Sequence, residues 1–223
     1  IPPCRRRLKS HWVAGPCEAR VNGERAARVP TSSVAAMLAS VGVHLAILGA
    51  LAPVLPLYVV SRGATTGQWG AMVASAGLVM IFSEPAWGWL ADRYGFGRPY
   101  LASRVASAVS LWLLAVRPQL GIVFCYQVLS GVSDSTVGVL GRGYMVRAYE
   151  PRRQTYALSL YLIVYSLSLA AGSMAGGYLF ERAGAQAVFL LVAIVASIGA
   201  VTALFLVEPP RPGIPTEGDP ERS

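Results

Sequence analysis

The chain has 223 residues, of which 54% are hydrophobic and only 13% charged, and its mean hydropathy is +0.51. A soluble domain carries about 25% charged residues, so this composition excludes a soluble globular protein and predicts one that lies in a membrane. The net charge of +8 would suit a nucleic-acid-binding protein. The basic residues gather between long apolar runs instead, so we assign the charge to membrane topology and expect no nucleic-acid partner.

Residues 1–33 are rich in Arg, Pro and Gly and show no apolar periodicity, which predicts a disordered, basic cytoplasmic tail. Cys4, His11 and Cys17 in this tail are the one set that resembles a metal site, and we predict neither a metal nor a cofactor. The chain begins with Ile, which indicates a fragment, and Met37 is a candidate natural start.

Six apolar runs are long enough for a membrane-spanning helix, which takes about 20 residues. Because the runs are continuous and rich in Ala, Leu, Val and Gly, they favour helices over the alternating strands of a β-barrel. In the third run, Arg104 and Arg117 are placed near the two ends, where their side chains reach the headgroups. The predicted spans lie near 34–60, 68–92, 99–117, 119–148, 154–180 and 185–207.

The positions of the basic residues predict the orientation of these spans. Of the 19 Lys and Arg residues, only Arg62, Arg117 and Arg182 fall on one side of the predicted membrane. Since cytoplasmic loops carry the excess of Lys and Arg, we expect both termini in the cytoplasm. Residues 208–223 are rich in proline and predict a linker toward a missing C-terminal domain.

A charged turn that follows the second span recurs after the fifth. The sequence GWLADRYG of residues 88–95 and the sequence GYLFERAG of residues 177–184 share glycine, leucine, acid, arginine and glycine in register. Each copy closes the second span of a three-helix unit, and an odd number of spans places the copies on opposite faces. The sequence therefore predicts two inverted three-helix repeats, as in many secondary transporters. A chance likeness of one turn is the alternative.

The first copy resembles the signature GxLaDRxG of the major facilitator superfamily. The matching residues are Gly88, Leu90, Ala91, Asp92, Arg93 and Gly95. Phe96 and Gly97 stand at positions that are usually basic in the family, and Arg98 carries the charge one place later. The resemblance implies the N-terminal six-helix half of an alternating-access transporter. It also implies a cytoplasmic charge relay that joins Asp92 to basic residues after the fourth span, with topology-setting charge as the alternative; the candidates are Arg142, Arg147 and Arg153.

Two further stretches resemble the drug and proton antiporters with twelve spans. The outer end of span one carries a proline-containing pattern formed by Leu48, Gly49, Pro53, Val54 and Pro56. Span five resembles that group's antiporter motif GPxxGG, with a serine in place of the proline, at Gly172, Ser173, Gly176 and Gly177. Small residues at this spacing allow helices to cross closely. In span four, Gln127 stands where the family often has a buried arginine, so the resemblance does not carry proton coupling by that arginine to this chain.

Ionisable residues inside a membrane are costly and tend to face a cavity or a partner. Glu84 shares a helix face with Gly88 and Asp92, which makes it a candidate proton or cation relay or, alternatively, a buried acid paired with a hydroxyl or arginine. Asp134 lies on a polar stripe with Gln127 and Ser130 and is a candidate for coupling or substrate binding, or for a structural hydrogen bond. His44 is a third candidate because histidine titrates near neutral pH, with simple packing as its alternative.

These features together predict a secondary active transporter of small solutes. We expect efflux by proton-coupled antiport in the plasma (inner) membrane, with a small-molecule substrate, protons, the lipid bilayer and a C-terminal half of spans seven to twelve as partners. The alternative is a membrane scaffold or interaction subunit that does not transport, which Gln127 and Ser173 favour. We do not expect an enzyme, because no span combines a nucleophile, a base and an orienting group.

Overall fold

The computed structural model describes residues 30–204, and they are helical apart from short turns. A π-helical turn at Val137–Gly141 joins two helices, and a 3₁₀ turn at Pro151–Arg153 precedes the last one. No strand occurs between residues 30 and 204, which confirms the predicted all-α fold class. The predicted linker, the three tail residues Cys4, His11 and Cys17, and all of the predicted tail before residue 30 lie outside the described residues. The helices are α1 (Thr31–Ser61), α2 (Thr66–Tyr94), α3 (Gly97–Val116), α4 (Leu120–Thr136), α5 (Arg142–Ala148) and α6 (Gln154–Ala203).

Five helical segments of the described chain are long and apolar enough to cross a membrane. Within a bilayer the backbone groups must find partners inside their own segment, which is why such apolar runs fold as helices. The chain is therefore an integral membrane protein. The five segments are Thr31–Ser61, Thr66–Tyr94, Gly97–Val116, Leu120–Ala148 and Pro151–Ala203.

The last of these segments contains two spans. A straight helix with the 50 residues of α6 would be about 75 Å long, more than twice the hydrocarbon core of about 30 Å. The backbone of Gly184 has φ 77° and ψ 177°, which breaks the helix. On either side of this break, Gly172 packs against Ala46 of α1 and Gly199 packs against Val43. Because both halves of α6 contact the same part of α1, the chain reverses at Gly184 and the described residues make six crossing segments.

The repeated charged turn also repeats in backbone structure. Gly95, the last residue of the first copy, has φ 86° and ψ 177°, nearly the same values as Gly184 at the end of the second. A positive φ is a conformation that glycine adopts without steric cost. In each copy the arginine stacks on the aromatic ring four residues before it: Arg93 lies 5.4 Å from the Trp89 ring centroid, and Arg182 lies 5.0 Å from that of Tyr178. The turn that repeats in the sequence thus also repeats in its backbone conformation and ring contact.

A polar layer separates two apolar clusters in the interior of the bundle. The first cluster includes Leu51, Leu111, Leu114 and Phe189, and the second includes Met37, Tyr100, Leu140 and Tyr161. The polar layer lies where α1 and α3 pass from one cluster to the other. It comprises Ser40, His44, Ser103, Arg104, Ser107, Ser133 and Asp134.

Arg104 contradicts the prediction made for it. Its residue surface is only 4% exposed, so it does not reach the headgroups from the end of a span. The helix begins at Gly97, about two turns earlier, and Arg104 shares its inward face with Tyr100 and Ser107, both of which are buried. The prediction was wrong because it placed the residue by distance along the span and not by its rotation around the helix axis.

Candidate functional site

His44 and Asp134 form a hydrogen-bonded pair in the polar layer. His44 Nε2 lies 2.7 Å from Asp134 Oδ1 and links α1 to the fourth span. The side chain of His44 is 7% exposed and that of Asp134 is 24% exposed. The structure thus brings together two residues that the sequence singled out separately. A histidine in direct contact with a carboxylate can accept, hold and release a proton.

Arg104 approaches this pair from α3. Its Nη2 donates to the Ser133 carbonyl oxygen at 2.9 Å and to Ser103 Oγ at 3.4 Å, and its guanidinium lies 5.3 Å from the Tyr100 ring centroid. Its Nε is buried and has no hydrogen-bond partner among the described residues.

A small cavity lies between Arg104 and His44. Its volume is about 10 Å³, close to what one water molecule needs. Its surface is mostly apolar, with Arg104, His44, Ser40 and Ser107 among the residues that line it. The lining residues are Ser40, Val43, His44, Ile47, Arg104, Ser107, Ala196 and Gly199.

The π-helical turn follows Asp134 within one helical turn. Such turns occur frequently at functional sites because they release backbone groups from the regular helix ladder. Here the Tyr161 hydroxyl donates to the Val137 carbonyl oxygen at 2.9 Å. A Cβ atom on Gly141 would lie 3.0 Å from the Tyr161 ring, so the absence of a side chain lets this ring approach.

At the end of α2, the repeated motif makes an ion pair with α5. Arg147 Nη2 lies 3.0 Å from Asp92 Oδ1, and the Arg147 guanidinium lies 4.7 Å from the Phe96 ring centroid. The two charged side chains are 33% and 72% exposed, so the pair contributes at most about 1 kcal/mol to stability. Of the three arginines expected near Asp92, the structure places Arg147 in contact with it. Arg142, Arg153 and Arg98 are exposed.

Glu84 lies away from the polar layer. It is exposed on α2, whereas its neighbours Ser83 and Trp87 face α4, where they bond Ser135 Oγ at 2.7 Å and the Val132 carbonyl oxygen at 3.1 Å. The structure therefore does not bring Glu84 to the His44–Asp134 pair. Gln127 of the predicted polar stripe is buried on α4.

The antiporter-like motif of span five packs against span one. A Cβ atom on Gly172 or Gly176 would overlap the backbone of Ala46 or Ala50. Ser173 Oγ donates to the Gly49 carbonyl oxygen at 3.1 Å. Gly177, the fourth residue of the motif, has nothing within 4 Å of a Cβ position. Three residues of the motif thus form a close crossing of α1 and α6.

The sequence analysis missed Arg104 as a site residue. The signal was present, because Tyr100, Ser103, Arg104 and Ser107 recur at helical spacing along an otherwise apolar run. Such a polar stripe indicates an inward face inside a bundle. Among residues 30–204, no group of three or more His, Cys, Asp or Glu side chains is placed to hold a metal ion.

The comparisons with known proteins agree with the fold and the motifs. The family model described as Major Facilitator Superfamily matches residues 36–222. The multidrug export protein EmrB of Escherichia coli K12 is 26% identical over 128 residues, which cover 57% of this chain and 25% of that protein. The class C tetracycline resistance protein of Escherichia coli is 24% identical over 169 residues, which cover 74% of this chain and 42% of that protein. The synaptic vesicular amine transporter of Mus musculus is 25% identical over 145 residues, which cover 65% of this chain and 28% of that protein.

A solved structure has the same fold. The crystal structure of the human organic anion transporter MFSD10 (TETRAN) superposes with a TM-score of 0.70 at 18% identity, over 80% of this chain and 48% of that protein. The chain spans less than half the length of each of these four proteins. With the family model matched over most of its length, the chain belongs to the Major Facilitator Superfamily.

Proposed function

We propose that this chain is the N-terminal six-helix half of a secondary active transporter that exports small solutes in exchange for protons. The observation that carries the proposal is the hydrogen-bonded pair of His44 and Asp134, which lies in the bundle interior between two apolar clusters. Ionisable groups at this depth are costly and mark ion or substrate pathways in membrane proteins. Three of the relatives are named for drug export, tetracycline resistance or amine transport, which supports an amine or other amphipathic drug as the exported solute.

The exposed side of α2 supports a second half of the transporter. None of the most apolar part of α2 is buried, and Glu84 lies on this surface together with Ile81 and Phe82. A carboxylate facing lipid would cost about 2.5 to 3.5 kcal/mol on insertion scales. We therefore place the C-terminal half, or a water-filled path between the halves, against this side of α2. Alternating access then consists of the two halves rocking about a site near the bilayer midplane.

Proton-driven flux tests the proposal directly. The complete transporter that carries this half is reconstituted in proteoliposomes, a pH gradient is imposed, and the flux of tetracycline is measured. Asp134→Asn and Glu84→Gln are compared with Glu150→Gln, which removes an exposed acid from the turn before α6. We expect Asp134→Asn to abolish proton-driven flux and Glu150→Gln to leave it unchanged. Unchanged flux in both Asp134→Asn and Glu84→Gln would refute proton coupling through these acids.

The isolated chain provides a second test. Because it supplies half of a site between two halves, we expect the purified 223-residue monomer to be inactive unless it dimerises or meets spans seven to twelve on another chain. Saturable uptake by the monomer in proteoliposomes would contradict the proposal. We place both termini in the cytoplasm and the protein in the plasma (inner) membrane, because the Arg-rich segments lie on the side of the termini.

A further inference from the structure

Arg104 is a buried cation without a direct acidic partner among residues 30–204. Among the described residues, basic and acidic side chains come within 4.0 Å of each other at His44–Asp134 and Arg147–Asp92, so Arg104 has no carboxylate within 4.0 Å. Its contacts are a backbone carbonyl, a serine hydroxyl and an aromatic ring, and its Nε has no partner. Burying a charge without a close counter-charge is costly, so a gain in stability does not explain this arrangement.

We propose that Arg104 controls proton binding by the His44–Asp134 pair and acts as the fixed positive charge of a three-residue proton-binding unit. Arg104 is a positioning residue here, since it acts on the pair and touches neither proton nor substrate. The geometry supports this role: Arg104 and His44 line the same cavity, and Arg104 binds the carbonyl oxygen of Ser133, the residue before Asp134. The proposal rests on the proposed function in one respect, namely that the proton bound by the pair is the proton exchanged for the solute.

The charge balance of the unit gives the sign of the effect. With His44 neutral and Asp134 ionised, the unit has no net charge when Arg104 is present, and one added proton makes it positive. Without Arg104 the same unit is negative, and the added proton makes it neutral. Because a buried site favours the state with less net charge, Arg104 favours release of the proton. An exchanger requires such release, since a site that keeps its proton cannot complete a transport cycle.

Within residues 30–204, the other groups near the His44–Asp134 pair are uncharged, so Arg104 is the fixed charge beside it. Tyr126 of α4 and Tyr100 of α3 are phenols, which are neutral at physiological pH. From α6 the cavity is lined by Ala196 and Gly199, and from α1 its polar groups are His44 itself and Ser40. Tyr161 of α6 interacts with Arg104 and is also a phenol.

The histidine content makes a direct measurement feasible. The chain has two histidines, His11 and His44, so a His11→Gln background leaves one imidazole signal. The 223-residue chain is labelled with ¹³C-histidine, placed in lipid nanodiscs and titrated by NMR, and the pH midpoint of the His44 signal is recorded. Arg104→Gln removes the charge, Arg104→Lys retains it, and Arg117→Gln removes an exposed charge at the far end of the same helix.

We expect Arg104→Gln to move the midpoint to higher pH by about one unit, the lower end of the usual effect of a nearby charge. Arg104→Lys and Arg117→Gln should leave it near the starting value. An unmoved midpoint in folded Arg104→Gln protein would refute the proposal, and so would an equal shift in Arg117→Gln. A shift in Arg104→Lys as large as in Arg104→Gln would assign the effect to hydrogen bonding and also refute it.

A second pair of variants covers the case in which Arg104→Gln does not fold, and the flux assay separates this proposal from the proposed function. If Arg104→Gln does not fold, Asp134→Asn is compared with the double variant Arg104→Gln/Asp134→Asn, in which the positive and the negative charge are removed together. The double variant should then have the higher His44 midpoint, and equal midpoints would overturn the inference. The titration needs no transport, so a shifted midpoint without proton-driven flux would refute the proposed function alone. Flux that depends on Asp134 with an unmoved midpoint would refute the role of Arg104 alone.

Discussion

Replacing Gly176 with alanine tests the close crossing of α1 and α6. A Cβ atom on Gly176 would lie 2.5 Å from the Cα and 2.8 Å from the carbonyl carbon of Ala50, whereas carbon atoms in contact prefer about 3.5 to 4.0 Å. The helices must separate by about 1 Å because both sides of the contact are backbone, and overpacking of this kind costs about 1–3 kcal/mol. The better helix propensity of alanine returns about 1 kcal/mol. We therefore expect a net loss of up to about 2 kcal/mol.

Gly177 supplies the matched control in the next position of the same helix. A Cβ atom there meets nothing within 4 Å, so Gly177→Ala should be neutral or stabilise the chain by up to about 1 kcal/mol. Both variants are unfolded reversibly in mixed micelles of dodecylmaltoside and SDS, and the free energies of unfolding are compared by circular dichroism. Equal free energies for the two variants would show that α1 and α6 do not meet through Gly176, and the reasoning would fail.

Two further predictions concern the repeated motif. Asp92→Arg and Arg147→Asp should each impair proton-driven flux of the complete transporter. The double exchange should restore part of the flux, because the 3.0 Å ion pair is re-formed with the charges reversed. A double variant with no more flux than the single variants would contradict a role for the pair. Gly95→Ala and Gly184→Ala should each lower the free energy of unfolding by about 1–2 kcal/mol, since both glycines have a positive φ. An unchanged free energy of unfolding in an SDS titration would argue against these backbone conformations.

The apolar pattern predicted the helices well because a membrane leaves the backbone few other choices. The apolar run after Gly184 could be separated from the run before it because the repeated GxLxxRxG-like turn marks a reversal of the chain. Both runs lie in the single helix range α6. Gly184 and Gly95 could be predicted as equivalent from sequence alone, since a turn with positive φ requires glycine in both copies. Local chemistry was sufficient at these positions.

The rotation of each helix about its axis could not be predicted in the same way. In a soluble bundle the polar face marks the outside, but here lipid and bundle interior are both apolar, so an apolar residue indicates neither side. Arg104 and Glu84 show the result: the first faces the interior and the second lies on the outside of the described half. The contact between His44 and Asp134 depends on the rotations of two helices, so each residue could be singled out but their pairing could not.

The inverted repeat makes a prediction about membrane sidedness. Tyr94 and Ala183 occupy equivalent positions in the two motif copies, both are exposed, and three crossing segments separate them. An odd number of crossings predicts that they lie on opposite faces, and the excess of Arg on the side of the termini predicts that Tyr94 lies in the cytoplasm. In a chain whose native cysteines are replaced by serine, Tyr94→Cys should react with a membrane-impermeant maleimide in inside-out vesicles only, and Ala183→Cys in intact cells only. Labelling of both from one side would refute the inverted repeat. Labelling of Tyr94→Cys in intact cells only and of Ala183→Cys in inside-out vesicles only would leave the repeat intact and refute the orientation.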